Sequence, residues 1–157
     1  MFGEGFSDGM FLKHLKKLYS FNTGVAITVK KGKGGDAKSI IIDAIKTPGA
    51  FDRKIVVLDN DKPKSEMVGA RKEAKSKGVE LLENTPCLEY LLISIIDKEP
   101  GEKNSIWCKS EFESKYLSTN KRGEPSEYDR LFPKNLLNSK KSTIPELDKL
   151  ISLMRGK

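Results

Sequence analysis

The sequence predicts an α/β fold: a small parallel sheet of four strands, helices on both faces, and a helical C-terminal extension. Three observations carry it. Ile55-Val56-Val57-Leu58 is an unbroken β-branched and aliphatic run, the pattern of a strand buried on both faces. Strand-like and helix-like segments alternate up to about Asp97, which argues a parallel sheet with crossover helices. Beyond Asp97 the pattern turns polar and helical, with no clear strand. A length of 157 residues is one domain's worth. Residues 1–97 therefore read as an α/β core, with 98–157 as a helical extension of the same domain.

Taken in order, residues 1–5 read as the end of a first, very short strand, with Gly3 and Gly5 flanking Glu4 where a sharp turn is needed. Ser7 or Asp8 is placed to cap the following helix. That helix runs to about Ser20, with Phe11, Leu12, Leu15, Leu18 and Tyr19 on one face and Lys13, Lys16 and Lys17 mostly opposite. Residues 24–30 read as a second strand, and Lys31-Gly32-Lys33-Gly34-Gly35 as a flexible basic loop. Asp36 then caps a helix carrying Ile40, Ile41, Ile42, Ala44 and Ile45, which Pro48-Gly49 ends. The apolar strand stops on Asp59-Asn60-Asp61, and Lys62-Pro63 breaks it. Residues 64–77 form a charged surface helix stopped by Gly78, and 79–82 a fourth strand. Thr85 is the expected cap, and Pro86 the first position, of an apolar helix. Thr143-Ile144-Pro145-Glu146 has capping-box spacing before a last helix with Leu147, Leu150, Ile151 and Met154.

Composition narrows the chemistry. The 29 basic residues outnumber the 22 acidic ones, for a formal charge of +7 that favours a polyanionic partner. No apolar run approaches a membrane span, and the N-terminal residues lack the pattern of a signal peptide. Cys87 and Cys108 lie far apart in sequence, lack zinc-knuckle spacing, and read as reduced thiols of a cytoplasmic protein. His14 is the only histidine and falls in a helical pattern. Histidine-based nuclease sites, zinc hydrolases and Ser-His-Asp triads are thereby excluded, so hydrolytic chemistry would have to run on carboxylates and lysines.

The strand ending at Asp59-Asn60-Asp61 is where such chemistry would sit. Side chains alternate along a strand, so Asp59 and Asp61 share one side. The carboxyl ends of strands are where open α/β sheets place ligands. Two like charges there repel, and a divalent cation relieves the repulsion. The plainer reading is that acidic residues end a strand to start a turn; a second acidic motif, Glu4-Gly5 with Asp8, tips the balance. Lys30, Lys31, Lys33 and Lys38 gather around the glycine loop and a helix start, where lysines and backbone N–H groups can hold a phosphate backbone. A solvated lysine loop is the equal alternative. Lys62 is either a further phosphate contact or a charge partner for the aspartates.

Glu4-Gly5-Phe6-Ser7-Asp8 after a short strand, followed by Leu58-Asp59-Asn60-Asp61 after a hydrophobic one, resembles the TOPRIM domain of topoisomerases, primases and OLD-family nucleases. A closer resemblance is to the small RloB-like proteins. It rests on Phe11-Leu12-Lys13-His14-Leu15-Lys16 in the first helix and on Asn84-Thr85-Pro86-Cys87-Leu88-Glu89 opening the apolar helix. It covers roughly residues 1–97. The resemblance implies a TOPRIM/Rossmann-like sheet and a metal-dependent nuclease cutting DNA or RNA, in a phage-defence or restriction setting. Its cofactor would be magnesium or manganese, its partner a separate ATPase subunit, and pairing with a second copy of the chain stays open. Carried over, Glu4 is the general acid or base or a metal ligand, and Asp59 and Asp61 bind the metal. Glu89, in the first turn of the apolar helix, is either a further ligand or an acid that favours the helix dipole.

Two other functions remain open. A catalytically inactive TOPRIM-like module could bind nucleic acid or an ATPase partner. A P-loop-like nucleotide-binding protein is the other, since residues 32–39 differ from that motif only at Ala37, where glycine is expected.

Overall fold

A computed structural model describes the whole chain, Met1–Lys157. Its elements are β1 (Phe2–Gly3), α1 (Phe6–Tyr19), β2 (Lys30–Lys31), α2 (Ala37–Lys46), β3 (Lys54–Asp59), α3 (Lys64–Ser76), β4 (Val79–Asn84) and α4 (Leu88–Ile96). The extension adds α5 (Ser105–Lys115), a 3-10 turn (Thr119–Lys121), α6 (Pro125–Leu131), α7 (Lys134–Lys140) and α8 (Pro145–Met154). The four strands lie in the order β2-β1-β3-β4, all parallel. The α/β class, the parallel sheet and the helical extension are therefore as the sequence predicts. No helix is long and apolar enough to cross a membrane.

Strand β3 shows why the sheet is covered on both faces. Val57 belongs to a cluster built from α1, α4 and the extension, whereas Val56 and Leu58 belong to one built from α2 and α3. Alternate side chains of one strand thus feed two cores. The larger core joins Phe11 and Leu15 of α1 and Leu92 of α4 to Phe112, Tyr128 and Phe132 of the extension. His14 belongs to this packing. It is buried, its Nε2–H donates to the Phe132 carbonyl at 2.8 Å, and burial lowers its pKa. Cys87 and Cys108, distant in sequence, are both buried free thiols in the same core.

Several boundaries differ from the sequence expectation, each for a local reason. The second strand is paired only at Lys30–Lys31, because its sole neighbour, β1, offers two residues in register (Phe2 with Lys30, Gly3 with Lys31). The N-cap of α1 is Gly5; Asp8, at the third helical position, reaches back so that its Oδ2 accepts the Gly5 N–H at 3.0 Å. The apolar helix begins at Leu88, after Cys87, and not at Pro86. The Leu88 N–H donates to Asp59 Oδ1 at 2.8 Å, so the cap comes from β3 across the sheet and not from Thr85. The capping box before α8 does not form. Its N-cap is Ile144, and Thr143 Oγ1 donates to the Lys140 carbonyl at 3.0 Å, closing α7 instead. Asp36 does cap α2, accepting from the Ser39 N–H at 3.0 Å.

Candidate functional site

The carboxyl ends of β1, β3 and β4 lie side by side, and four carboxylates meet there. Glu4 directly follows β1, and both of its oxygens are held. Oε2 accepts the Asp59 backbone N–H at 2.9 Å, and Oε1 pairs with the Lys62 ammonium at 2.7 Å. Its backbone is pinned as well: the Glu4 N–H donates to the Val57 carbonyl at 3.0 Å, and the Glu4 carbonyl accepts from Gly34 at 3.1 Å. Glu4 is therefore fixed even though its strand is two residues long. Burial costs the Lys62 ammonium, but the hydrogen bond and charge of Glu4 outweigh it and raise its pKa.

Asp59, the last residue of β3, is only 7% exposed. Burial, and after it the charges of Asp8, Glu4 and Glu89, raise its carboxyl to about 7. Asp8 projects from the first turn of α1 into the same space. It too is buried, and burial, reinforced by Glu4 and Glu89, raises its carboxyl to about 6 although the Gly5 N–H opposes the shift. Glu89 completes the group from the first turn of α4, buried at 7% exposure. Asp8 Oδ1 and Glu89 Oε2 are both buried without a hydrogen-bond partner. An unpaired buried carboxylate oxygen is costly, and few native groups are left so.

Asp61 stands outside this group. Burial pulls its carboxyl upward, but the hydrogen bond and charge of Lys109, with Lys62 beyond, outweigh it and lower the pKa. Lys109, from α5, spans the two aspartates, its Nζ 3.0 Å from Asp61 Oδ2 and 3.5 Å from Asp59 Oδ2. Burial opposes the charge on Lys109, yet the hydrogen bond to Asp61 and the charges of both aspartates raise its pKa.

No family model, curated protein or solved structure matches this chain.

Of the residues singled out in the sequence, Glu4, Asp59 and Glu89 come together, and Asp61 joins them through Lys109. Lys62 takes its charge-partner role, on Glu4. Lys30 and Lys31 of β2 and Lys33 of the loop after it are exposed, and the Gly32 and Gly34 N–H groups of that loop donate to the Gly3 and Glu4 carbonyls at 2.7 and 3.1 Å. That loop must pass very close: a Cβ on Gly32 would stand 2.3 Å from the Glu4 carbonyl oxygen, so only glycine fits. Lys38 turns toward α3, where its Nζ lies 4.0 Å from Glu73. The start of α2 is already occupied by protein carboxylates. The Ala37 N–H donates to Glu66 Oε1 at 2.6 Å, and the Ser39 N–H to Asp36.

Three residues of the site were not among the predicted site residues. Asp8 reads from the sequence as a cap of α1 beside Glu4; it sits instead at the third helical position, accepting from the Gly5 N–H, and its Oδ1 has no partner. Asn84 ends β4 in register with Asp59, buried with its Nδ2 unpartnered. Lys109 carried no signal, being one of 29 basic residues in a segment without a motif.

The donor set is made of oxygens alone, which suits a hard divalent cation such as magnesium. The unpartnered Asp8 Oδ1 and Glu89 Oε2 fit the same kind of ion, as do the burial and, after it, the neighbouring carboxylate charges that raise Asp8 and Asp59. As the side chains stand, no three of them are drawn into a ready cage; Lys109 supplies the positive charge between Asp59 and Asp61. A groove of about 900 Å³ lies elsewhere. It is lined by Tyr90, Ser94, Lys98, Lys140 and Glu146 among others, includes none of the four carboxylates, and mixes both signs of charge.

Proposed function

We propose that this protein is a metal-dependent phosphodiesterase, an endonuclease acting on DNA or RNA with magnesium or manganese. The observation that carries the reading is the convergence of Glu4, Asp8, Asp59 and Glu89 at the carboxyl ends of the central strands, beside an exposed lysine loop bonded to the backbone of Glu4. Glu4, Asp59 and Glu89, with Asp61 at the outer edge, are the residues that would hold the metal. When bound, such an ion activates water and offsets charge on the departing oxygen.

The chain's own groups have separable tasks. Lys62 and the Asp59 N–H fix both Glu4 oxygens, so this carboxylate keeps one orientation. Asp8 and Asp59, raised by burial and by their neighbours, can take up or release a proton near neutral pH. Lys109 neutralises the aspartate pair until a cation or substrate reorganises it. Lys30, Lys31 and Lys33 take the phosphates that flank the scissile one, with an affinity that falls as salt rises. The P-loop-like alternative loses support, because the N–H groups of Ala37 and Ser39 are spent on Glu66 and Asp36. The resemblance to RloB-like proteins supports the same phosphodiesterase reading.

The test is to incubate purified protein with plasmid, single strands and structured RNA in magnesium, manganese or EDTA. Cleavage that needs the metal and is lost in Asp59→Asn is the expected result. Binding without cleavage in either metal would overturn the enzyme reading in favour of an inactive nucleic-acid-binding module.

A further inference from the structure

Phe6 opens α1, two residues after Glu4, and stays 44% exposed. A single exposed phenylalanine is ordinary on a protein surface; the surroundings of this one are not. The Lys31 ammonium lies 4.5 Å from its ring centroid, a cation–π contact. Lys31 is brought there by a close approach of β2 to α1, since a Cβ on Gly9 would stand 2.7 Å from the Lys31 Cβ. The outer edge of the ring borders Gly123, which has no side chain to cover it; even a Cβ there would only just reach Phe6 Cζ, at 3.5 Å. An aromatic ring and a cation are thus held together at the start of α1, two residues from Glu4 and next to the strand whose following loop is bonded to the Glu4 carbonyl.

These two groups match the two parts of a nucleotide. Stacking on an aromatic ring needs a free base face, and a duplex keeps its base faces stacked on one another. An unpaired strand offers the face and the phosphate together. We propose that Phe6 and Lys31 form a one-nucleotide platform that selects unpaired nucleic acid: the base stacks on Phe6, and the adjoining phosphate draws the Lys31 ammonium off the ring. This rests on the phosphodiesterase reading and deepens it, because it names the form of the substrate. Phe6 is on this account a specificity residue, not a catalytic one.

The experiment measures binding by fluorescence anisotropy in EDTA, with three labelled probes of equal length: oligothymidylate, the same strand carrying abasic positions, and a duplex. The proteins are wild type, Phe6→Leu and Phe6→Tyr, each with its melting temperature recorded. Wild type is expected to prefer the oligothymidylate. Phe6→Leu should lose about tenfold on that probe alone, within the range expected for one stacked base, and Phe6→Tyr should keep the affinity. The abasic strand should bind wild type and Phe6→Leu alike. Equal affinities of wild type and Phe6→Leu for oligothymidylate, or an equal loss on all three probes, overturns the platform. Cleavage with magnesium or manganese, run in parallel, separates the two readings. Base-dependent binding without cleavage overturns the phosphodiesterase and leaves the platform standing. Cleavage indifferent to Phe6→Leu overturns only the platform, as does cleavage with metal but no binding to any probe, and neither binding nor cleavage overturns both.

Discussion

Asp59 does three things, two of them with its carboxylate. Its backbone N–H holds Glu4, its Oδ1 caps α4 through Leu88, and its Oδ2 faces Lys109. Asp59→Asn keeps the cap and the backbone bond and removes the charge. Cleavage should then fall to background. In EDTA at pH 8 the melting temperature should rise, because the repulsion from Asp8, Glu4 and Glu89 goes. The pH dependence follows from the same carboxyls. Asp8 and Asp59 titrate near 6 and 7 in the folded protein, against about 3.9 for an aspartate in an unfolded chain. The folded state therefore holds more protons than the unfolded one between those values, and this contribution to stability is full below about 4 and lost as pH rises through 6 to 7. Thermal melting in EDTA should show wild type losing stability from pH 5 to pH 8, with a smaller loss in Asp59→Asn. A flat profile would show that the carboxyls are not so shifted. Glu89→Gln keeps size and hydrogen bonding at the other unpartnered oxygen; cleavage should drop at least tenfold, with partial rescue at high magnesium. Wild-type rates and metal dependence would reduce Glu89 to an acid at a helix start.

At the scale of elements, the parts legible in the sequence were those whose cause is local. The apolar run of β3, the Asp36 cap, and Gly78 just past the end of α3 in a left-handed conformation (φ 66) all follow from neighbouring residues. What stayed illegible depended on partners far along the chain. The second strand could not be shortened to Lys30–Lys31 without knowing that β1 offers two rungs. The start of α4 depended on an Asp59 carboxylate 29 positions away. Within the site, Glu4, Asp59 and Asp61 were marked by motifs, whereas Lys109 reaches them from a segment with none. The glycine at position 32 is a test of how loop and strand are joined. Gly32→Ala puts a methyl against the Glu4 carbonyl, so either the loop or Glu4 must shift, at a cost of about 1–3 kcal/mol. Denaturant unfolding should show that loss, and nucleic-acid binding should weaken with it. An unchanged midpoint would mean the approach is looser than drawn.

For the whole molecule, the extension is a wall of the main core. Phe112, Leu117, Tyr128, Phe132 and Leu150 pack in one cluster with Phe11 of α1 and Leu92 of α4. Burying each such side chain contributes about 1.5–3 kcal/mol. A chain cut after Asp97 should therefore lack a cooperative melting transition and bind a hydrophobic dye; a sharp transition would mean the first 97 residues fold alone. The extension also sends Lys109 to the aspartates. In EDTA at neutral pH, Lys109→Ala should cost up to about 1 kcal/mol, the range for a half-exposed pair, and added magnesium should remove the difference. An equal effect with and without magnesium would mean that Lys109 and the ion do not act on the same charges.

The position of β1 has a consequence for the order in which the protein can be made. It leaves the ribosome before the other three strands, yet it lies between β2 and β3, with Phe2 paired to both Lys30 and Val56. The cap on α4 waits for Leu88, and the cation on the aspartates waits for Lys109. Such distant pairings close late, because the intervening chain must be ordered first. A nascent chain thus carries Glu4 without its Lys62 and Asp59 partners until β3 has emerged, and the acidic cluster is complete only once Glu89 and Lys109 have followed.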